Sequence, residues 1–216
     1  MQKVIPAILT ADPAYLKERL DLFRGESEWL HIDIIDGVFV PNFSVPVLAL
    51  DGAAAHFHLE MHLMVADPVA YLKDCEAIGA KRVVFHIEAI DHPQEVLKKA
   101  KQYSFQVGLA LSPGTDPGQA AGFADSIDWG LVLGVVPGFQ GQKIIPSRLR
   151  SISELKATVP VVSFDGGITE ENIREVFAAG ADYVLVGSAI MRAEDPVAAF
   201  HKLSAIAEQP SPRPDL

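Results

Sequence analysis

Cysteine is almost absent from this chain of 216 residues, which contains only Cys75. A single cysteine cannot form an internal disulfide, so a disulfide-stapled scaffold is excluded. Cys75 lies in the helical pattern YLKDCEAIG, and we interpret it as a structural thiol rather than a nucleophile. Long apolar runs are also missing, so the sequence predicts neither a signal peptide nor a membrane span. We therefore expect a cytoplasmic protein with no membrane partner.

Basic residues are scarce, with 18 Lys and Arg against 28 Asp and Glu, and the formal net charge is −10 at pH 7. This charge disfavours nonspecific binding to nucleic acid or to anionic membranes, so any anionic ligand must be held by local features. A glycine-rich turn is absent after the first predicted strand, which is followed by ILTADPAY. Its absence disfavours an open doubly wound sheet that binds dinucleotides.

Short β-branched runs alternate with longer helical patterns along the chain, and the runs predict eight strands. The predicted strands span 3–8, 29–35, 57–64, 82–87, 105–111, 128–135, 160–165 and 182–187. Eight strand and helix units in about 205 residues indicate one α/β domain, a single (β/α)8 TIM barrel, over residues 1–206. The tail 207–216 is rich in proline and polar residues, and we expect it to be disordered.

Four polar residues with metal-binding atoms fall at the carboxyl ends of predicted strands, where barrel enzymes place their catalytic groups. His31 and Asp33 end the second strand, His62 ends the third and Asp165 ends the seventh. Two imidazoles and two carboxylates form a ligand set suited to Zn²⁺, Fe²⁺ or Mn²⁺. The sequence therefore predicts one divalent metal site at the mouth of the barrel.

Other histidines near these strands are less informative. His56 and His58 alternate with His62 but lie too far along the strand to share its ion, and we expect them at the surface or low in the barrel. Glu60 is interpreted as a hydrogen-bond partner of a ligand. His86 and Glu88 fit either an extension of the site or a structural pair.

Glycines follow the last two predicted strands and indicate a phosphate site. Gly166 and Gly167 follow the seventh strand, and Gly187 with Ser188 follows the eighth, where backbone N–H groups can approach a ligand closely. Such a site needs no Lys or Arg. The long connection VVPGFQGQKIIP after the sixth strand is interpreted as a functional lid, with a loop that has no function as the alternative.

Motifs along nearly the whole chain resemble those of the ribulose-phosphate 3-epimerase family, the metal-dependent ribulose-phosphate-binding barrels. They are PAILTAD at 6–12, HIDIIDGVFVPN at 31–42, MHLMV at 61–65, HIEA at 86–89, PGFQGQ at 137–142, FDGGI at 164–168 and VGSAI at 186–190. The resemblance implies a metal-dependent isomerase of the pentose phosphate pathway that interconverts ribulose 5-phosphate and xylulose 5-phosphate. It also implies a homo-oligomer and no organic cofactor.

The resemblance also assigns roles to individual residues. It implies that His31, Asp33, His62 and Asp165 bind the metal, and that Asp33 and Asp165 act as the acid and base pair. Binding of the sugar phosphate is assigned to His62, Gly138, Gly141, Gly166, Gly167, Gly187 and Ser188.

Several expected pocket residues depart from the family pattern. Ala7 replaces a usual serine, Ile35 and Leu133 replace usual methionines, and Met64 is retained. These departures leave open 3-epimerisation of another ketose phosphate, such as allulose 6-phosphate, and a catalytically silent barrel that only binds sugar phosphate. The related decarboxylases and aldolases are disfavoured, because their Asp-x-Lys-x-x-Asp motif is absent.

Overall fold

Eight parallel strands form a closed barrel in the computed structural model, which describes residues 3–209. The strands are β1 (Val4–Ile8), β2 (Trp29–Ile35), β3 (His58–Met64), β4 (Arg82–His86), β5 (Gln106–Leu111), β6 (Trp129–Leu133), β7 (Val162–Asp165) and β8 (Tyr183–Val186). Each strand pairs with the next, and β8 pairs with β1 in parallel to close the barrel. The predicted fold class is thus confirmed, and each predicted strand is present within two residues of its expected limits.

Helices connect most of the strands around the outside of the barrel. They are α1 (Pro13–Phe23), α2 (Val69–Ala77), α3 (Pro93–Ala100), α4 (Gly118–Ala121), α5 (Ser147–Lys156), α6 (Ile173–Ala178), α7 (Ser188–Met191) and α8 (Pro196–Glu208). Helix α1 begins where the Asp12 side chain accepts the N–H of Ala14 and Pro13 occupies the first turn. No α-helix joins β2 to β3; two 3₁₀ turns, Val47–Leu50 and Ala53–Ala55, replace it.

The C-terminal helix runs further than the proposed domain limit. Helix α8 ends at Glu208, two residues beyond the expected end of the domain at 206. Residues 210–216, most of the tail for which disorder is expected, lie outside the described residues. None of the helices in residues 3–209 has the length and apolar character needed to cross a membrane.

The interior of the barrel is filled by side chains and is not a channel. Inward-facing residues, among them Ile5, Val84, Trp129, Leu131 and Tyr183, pack into one buried cluster. The Trp129 ring lies where a side chain at Gly108 would stand, since an added Cβ would come within 2.6 Å of it. Because this packing closes the amino-terminal end, the space available for a ligand lies at the carboxyl ends of the strands.

Two peripheral predictions also have outcomes in the fold. Cys75 is fully buried in α2, and burial raises the pKa of its thiol to about 12, as expected for a structural cysteine. His56 and His58 lie at the opposite end of β3 from His62, and the His58 side chain is 43% exposed. Neither can share an ion with His62.

Candidate metal centre and substrate pocket

The four predicted metal ligands lie together at the mouth of the barrel. His31 and Asp33 extend inward from β2, His62 from β3 and Asp165 from the end of β7. One donor atom from each residue can be chosen so that all four lie within 4.8 Å of one another. Asp33 and His62 are direct neighbours in the β2–β3 register, which explains how residues so distant in sequence share one site.

His31 is held by carboxylates on both sides of its ring. Its Nδ1 lies 2.9 Å from Oε1 of Glu60, and its Nε2 lies 3.3 Å from Oδ1 of Asp33. Glu60 is itself fully buried and accepts hydrogen bonds at Oε2 from Arg82 at 3.2 Å and from the Tyr183 hydroxyl at 2.8 Å. Glu60 therefore orients His31 with Nε2 toward Asp33, as the sequence indicated for a partner of a ligand.

His62 lies between Asp33 and a second histidine. Its Nδ1 is 2.9 Å from Oδ1 of Asp33, and its Nε2 is 3.0 Å from Nε2 of His86. Nδ1 of His86 is 3.0 Å from Oε2 of Glu88, whose other oxygen accepts a hydrogen bond from the Thr115 hydroxyl. His86 and Glu88 thus form a hydrogen-bonded pair that contacts His62, one of the four candidate metal ligands.

The buried groups of this site shift one another's pKa values. Burial would raise the pKa of Asp33, but hydrogen bonds from His31 and His62 outweigh it and keep that pKa well below its ordinary value. Burial and the nearby charge of Asp33 raise the pKa of Asp165 to about 7. Burial would lower the pKa of His31, but hydrogen bonds with Asp33 and Glu60 outweigh it and raise that pKa to about 10. For His62 burial dominates and lowers the pKa to about 4.

These shifts and the donor set fit a bound cation. Two carboxylates at one buried site repel each other unless a positive charge lies between them, and without a metal a proton on His31 supplies it. Two imidazole nitrogens and two carboxylate oxygens suit Zn²⁺, Fe²⁺ or Mn²⁺. The remaining ring nitrogens of His31 and His62 already have hydrogen-bond partners, an arrangement typical of metal-binding histidines.

A cavity opens directly above the two aspartates and has an empty volume of about 560 Å³ including its open mouth. Asp33 and Asp165 are part of its wall, together with residues 135–142 of the β6–α5 connection. Further wall residues are Ala7, Leu9, Met64, Leu133, Gly166, Gly167, Ile168, Leu185, Gly187 and Ser188. Three of the four expected pocket-lining residues, Ala7, Met64 and Leu133, thus lie in the wall.

Ile35 and His62 do not lie in the cavity wall. Ile35 packs with Met64 and Val40 in a small buried cluster, where the chain after β2 folds back over it. His62 is fully buried beneath the wall, with both ring nitrogens engaged. Its position therefore suits a metal ligand better than a residue that contacts the sugar phosphate.

Glycines form one side of the cavity in a backbone conformation that other residues rarely adopt. Gly166 and Gly167 have φ values of +98° and +72°. A Cβ at Gly167 would lie 2.4 Å from the backbone nitrogen of Ile144, and one at Gly166 would lie 2.5 Å from Val135. Positive φ values recur at Gly138 and Gly141. This wall therefore presents backbone to a ligand, and larger residues cannot replace the tightest glycines without movement.

Gly187 and Ser188 lie on the same side of the cavity, where β8 leads into α7. Gly187 has a negative φ of −87°, and an added Cβ would make only ordinary contact, 3.6 Å from the Ala7 carbonyl oxygen. Close packing within the chain therefore does not explain the glycine at 187.

Loops around the mouth are joined by side-chain hydrogen bonds. Asp36 accepts the backbone N–H groups of Val38 and Ala66, each at 2.8 Å, which links the loops after β2 and β3. The Asn42 amide donates to the Gly138 carbonyl at 2.6 Å, so the loop after β2 also holds the β6–α5 connection. Asp36 and Asn42 thus fix the loops around the mouth relative to one another.

Arg148 is a supporting residue that the sequence did not indicate. It is 3% exposed in α5, and its guanidinium donates to the carbonyls of Leu133 at 3.0 Å, Pro113 at 3.2 Å and Leu111 at 3.3 Å. Arg148 thus joins the carboxyl ends of β5 and β6. Its pattern in PSRLRSISELKA is that of an ordinary surface helix, so nothing in the sequence distinguished it.

Comparison with known proteins identifies similar chains. A model of the ribulose-phosphate 3 epimerase family matches residues 3–191. The ribulose-phosphate 3-epimerase of Mycobacterium tuberculosis is 34% identical over 208 residues, which cover 93% of this chain and 90% of that protein. The enzyme of the same name from Aquifex aeolicus is 34% identical over 215 residues, covering 95% and 97%.

Solved structures extend the likeness of fold. The crystal structure of a 3-hexulose-6-phosphate synthase matches with a TM-score of 0.72 and 18% sequence identity, covering 94% of this chain and 99% of that one. At this identity the similarity concerns the barrel fold alone.

Proposed function

Since this chain belongs to the ribulose-phosphate 3-epimerase family, we propose that it interconverts D-ribulose 5-phosphate and D-xylulose 5-phosphate by inverting carbon 3. The observation that carries the proposal is the pair Asp33 and Asp165. Both carboxylates face one cavity, both belong to the cluster of metal donors, and their pKa values are shifted in opposite directions. Such a pair suits proton transfer in two directions.

Inversion of a carbon next to a ketone requires a proton to leave one face and another to return to the opposite face. We assign these two transfers to Asp33 and Asp165, which reach the cavity from β2 and β7, strands separated by β1 and β8. The ionised Asp33 is suited to accept a proton, and Asp165, which reaches the same cavity from β7, is placed to donate one. The roles reverse for the opposite reaction.

His31, Asp33, His62 and Asp165 would hold one divalent ion, Zn²⁺, Fe²⁺ or Mn²⁺. When bound, the ion supplies positive charge that stabilises the enediolate as it forms. The proposed chemistry needs no organic cofactor, because the two carboxylates move the protons.

The phosphate group is assigned to the glycine side of the cavity. Gly138, Gly141, Gly166, Gly167, Gly187 and Ser188 all line it. Backbone N–H groups there can bind a phosphate without help from a basic side chain in contact with it. A cytoplasmic location and a homo-oligomeric state stay predictions.

The substrate is tested by turnover of metal-loaded protein on ribulose 5-phosphate and on allulose 6-phosphate. We expect the five-carbon substrate to have the higher kcat/KM. The six-carbon alternative is suggested by Ala7, whose methyl group stands in the cavity wall at a position where the family pattern has a serine. A preference for allulose 6-phosphate would overturn the choice of substrate, and turnover of neither would favour a barrel that only binds sugar phosphate.

The acid and base pair is tested by Asp165→Asn. We expect this variant to lose epimerisation and to bind less metal, because it loses both a proton carrier and a charged ligand. Asp125→Asn is the matched control, since Asp125 is an exposed carboxylate on the 3₁₀ turn Ala124–Ser126. Full activity in Asp165→Asn would refute the role assigned to Asp165.

A further inference from the structure

A second cavity adjoins the one above the two aspartates. Its empty volume is about 1030 Å³ including open solvent, and residues from the connections after β6, β7 and β8 line it. Five residues line both cavities: Gly141, Gln142, Gly167, Ile168 and Ser188. The proposed function assigns the phosphate to three of these five, the two glycines and the serine. A phosphate bound there would stand where the two cavities meet, with part of its surface open to the second.

The walls of the two cavities carry opposite charges. Among the described residues, the only charged ones that line the first cavity are Asp33 and Asp165, and the only ones that line the second are Lys143 and Arg192. Within residues 3–209 neither of these two basic side chains makes an ion pair or a hydrogen bond. In a chain with a net charge of −10, two unpaired cations in one cavity favour an anionic ligand.

Arg192 lies next to residues assigned to the phosphate. Its backbone N–H donates to the Ser188 carbonyl at 3.2 Å, so Arg192 follows Ser188 by one helical turn. Its guanidinium stands beside Gly141, where an added Cβ would lie 2.9 Å from Nη1 and 3.5 Å from Cζ of Arg192. The guanidinium therefore occupies the space that a side chain at 141 would need.

A guanidinium in this position suits the outer oxygens of a phosphate. Its planar fork of N–H donors matches the geometry of a phosphate group, and these donors have no other partner within the described part of the chain. Backbone N–H groups of the glycines can bind oxygens on one side of the phosphate and leave others exposed. The carboxylates of Asp33 and Asp165 repel a phosphate that enters the first cavity, and a cation beside Gly141 offsets this repulsion.

We propose that Arg192 is a further substrate-binding residue, whose guanidinium reaches the phosphate from the second cavity and binds the oxygens that the glycine backbone leaves exposed. The proposal rests on the ketose phosphate of the proposed function. It departs from the sequence expectation that the phosphate site needs no Lys or Arg. Arg192 lines the second cavity and not the first, so it sets the affinity for phosphorylated ligands without moving a proton.

Arg192→Met tests the proposal, because methionine retains an unbranched apolar stem but removes the charge and the donors. We expect KM for ribulose 5-phosphate to rise roughly tenfold, the lower limit for one hydrogen bond to a charged group, with kcat unchanged. Arg192→Lys retains the charge without the planar fork and should give an intermediate KM.

The second measurement is the affinity for inorganic phosphate, from a ³¹P NMR titration that needs no turnover. Arg192→Met should bind phosphate roughly tenfold more weakly than the wild type. The difference should shrink as KCl is added, because salt screens an attraction between charges that are open to solvent.

Arg150→Met is the matched control, since it removes the same charge from an exposed arginine that pairs with Glu154 and lines neither cavity. It should leave KM and phosphate affinity unchanged. Wild-type values of both in Arg192→Met would overturn the inference, as would a lower kcat at an unchanged KM. If the wild type binds phosphate through Arg192 but does not turn over ribulose 5-phosphate, the proposed function fails and the inference stands.

Discussion

Replacement of Glu60 by Gln should separate the structural role of the barrel interior from its role in metal binding. Glu60 is fully buried and accepts hydrogen bonds from His31, Arg82 and Tyr183. Glutamine has nearly the same shape but no charge, so the buried ion pair between Glu60 and the Arg82 guanidinium would be lost. Removal of one partner of a buried ion pair costs about 3 to 5 kcal/mol.

Aromatic rings reduce that cost without removing it. The Arg82 guanidinium lies 4.1 Å from the centroid of the Trp29 ring and 5.1 Å from that of Tyr183, and these contacts survive the substitution. We therefore expect a loss near the lower limit, about 3 kcal/mol in the free energy of unfolding. With a urea dependence of about 3 kcal/mol per molar, the unfolding midpoint should fall by about 1 M.

The assay is urea unfolding followed by circular dichroism, with Zn²⁺ affinity measured on the same preparations. Glu60→Gln should also weaken metal binding, roughly 10- to 100-fold, because His31 loses the carboxylate that orients it. The double variant Glu60→Gln/Arg82→Met removes the buried cation and should recover much of the stability but none of the metal affinity. A midpoint equal to that of the wild type in Glu60→Gln would refute the reasoning, and so would recovery of metal affinity in the double variant.

Three further predictions concern the cavity and its charges. Gly167→Ala should raise KM and lower stability more than Gly25→Ala. Both glycines have a positive φ, but of the two only Gly167 lacks room for a Cβ. Equal effects would contradict the assignment of the phosphate to the glycine side of the cavity. Metal affinity should rise with pH, about a hundredfold per pH unit below pH 7 and about tenfold per pH unit above it. The reason is that metal binding displaces protons from Asp165, whose pKa is raised to about 7, and from His31, whose pKa is raised to about 10. An affinity independent of pH would contradict these shifts. Ala7→Ser should raise kcat/KM for ribulose 5-phosphate about 2- to 12-fold in a steady-state assay, which is the effect of one ordinary hydrogen bond. A decrease in kcat/KM would argue against contact between the substrate and this part of the cavity wall.

The strands and the metal donors could be predicted from the sequence for one physical reason. Barrel strands are buried on both faces, so they read as short apolar runs, and a polar residue within such a run is conspicuous. His31, Asp33 and His62 interrupt apolar strands in this way. Their meeting with Asp165 then follows from the topology, because all carboxyl ends of the strands lie at one mouth.

Other features depend on register and on loop paths that a linear pattern does not contain. Glu60 faces Arg82 because β3 and β4 pair at that position, and the sequence separation of 22 residues gives no sign of it. Ile35 lies two residues after Asp33 on the same strand, so the sequence predicts that it faces inward as Asp33 does. In the structure the chain after β2 folds over Ile35, which therefore does not line the cavity. Between β2 and β3, Pro46 immediately precedes the first 3₁₀ turn, and the left-handed Gly52 separates that turn from the second, so the short apolar segment forms no α-helix.

The closed floor of the barrel has a kinetic consequence. Trp129, Tyr183 and Arg82 fill the interior below the candidate metal ligands. In the part of the chain that the structure describes, an ion and a sugar phosphate would therefore reach the site through the same opening. In the proposed function, the ion must therefore bind before the sugar phosphate. Substrate or product bound above the ion would then block its release. Loss of metal to a chelator should therefore slow as the sugar phosphate approaches saturation, so that turnover itself protects the enzyme from inactivation.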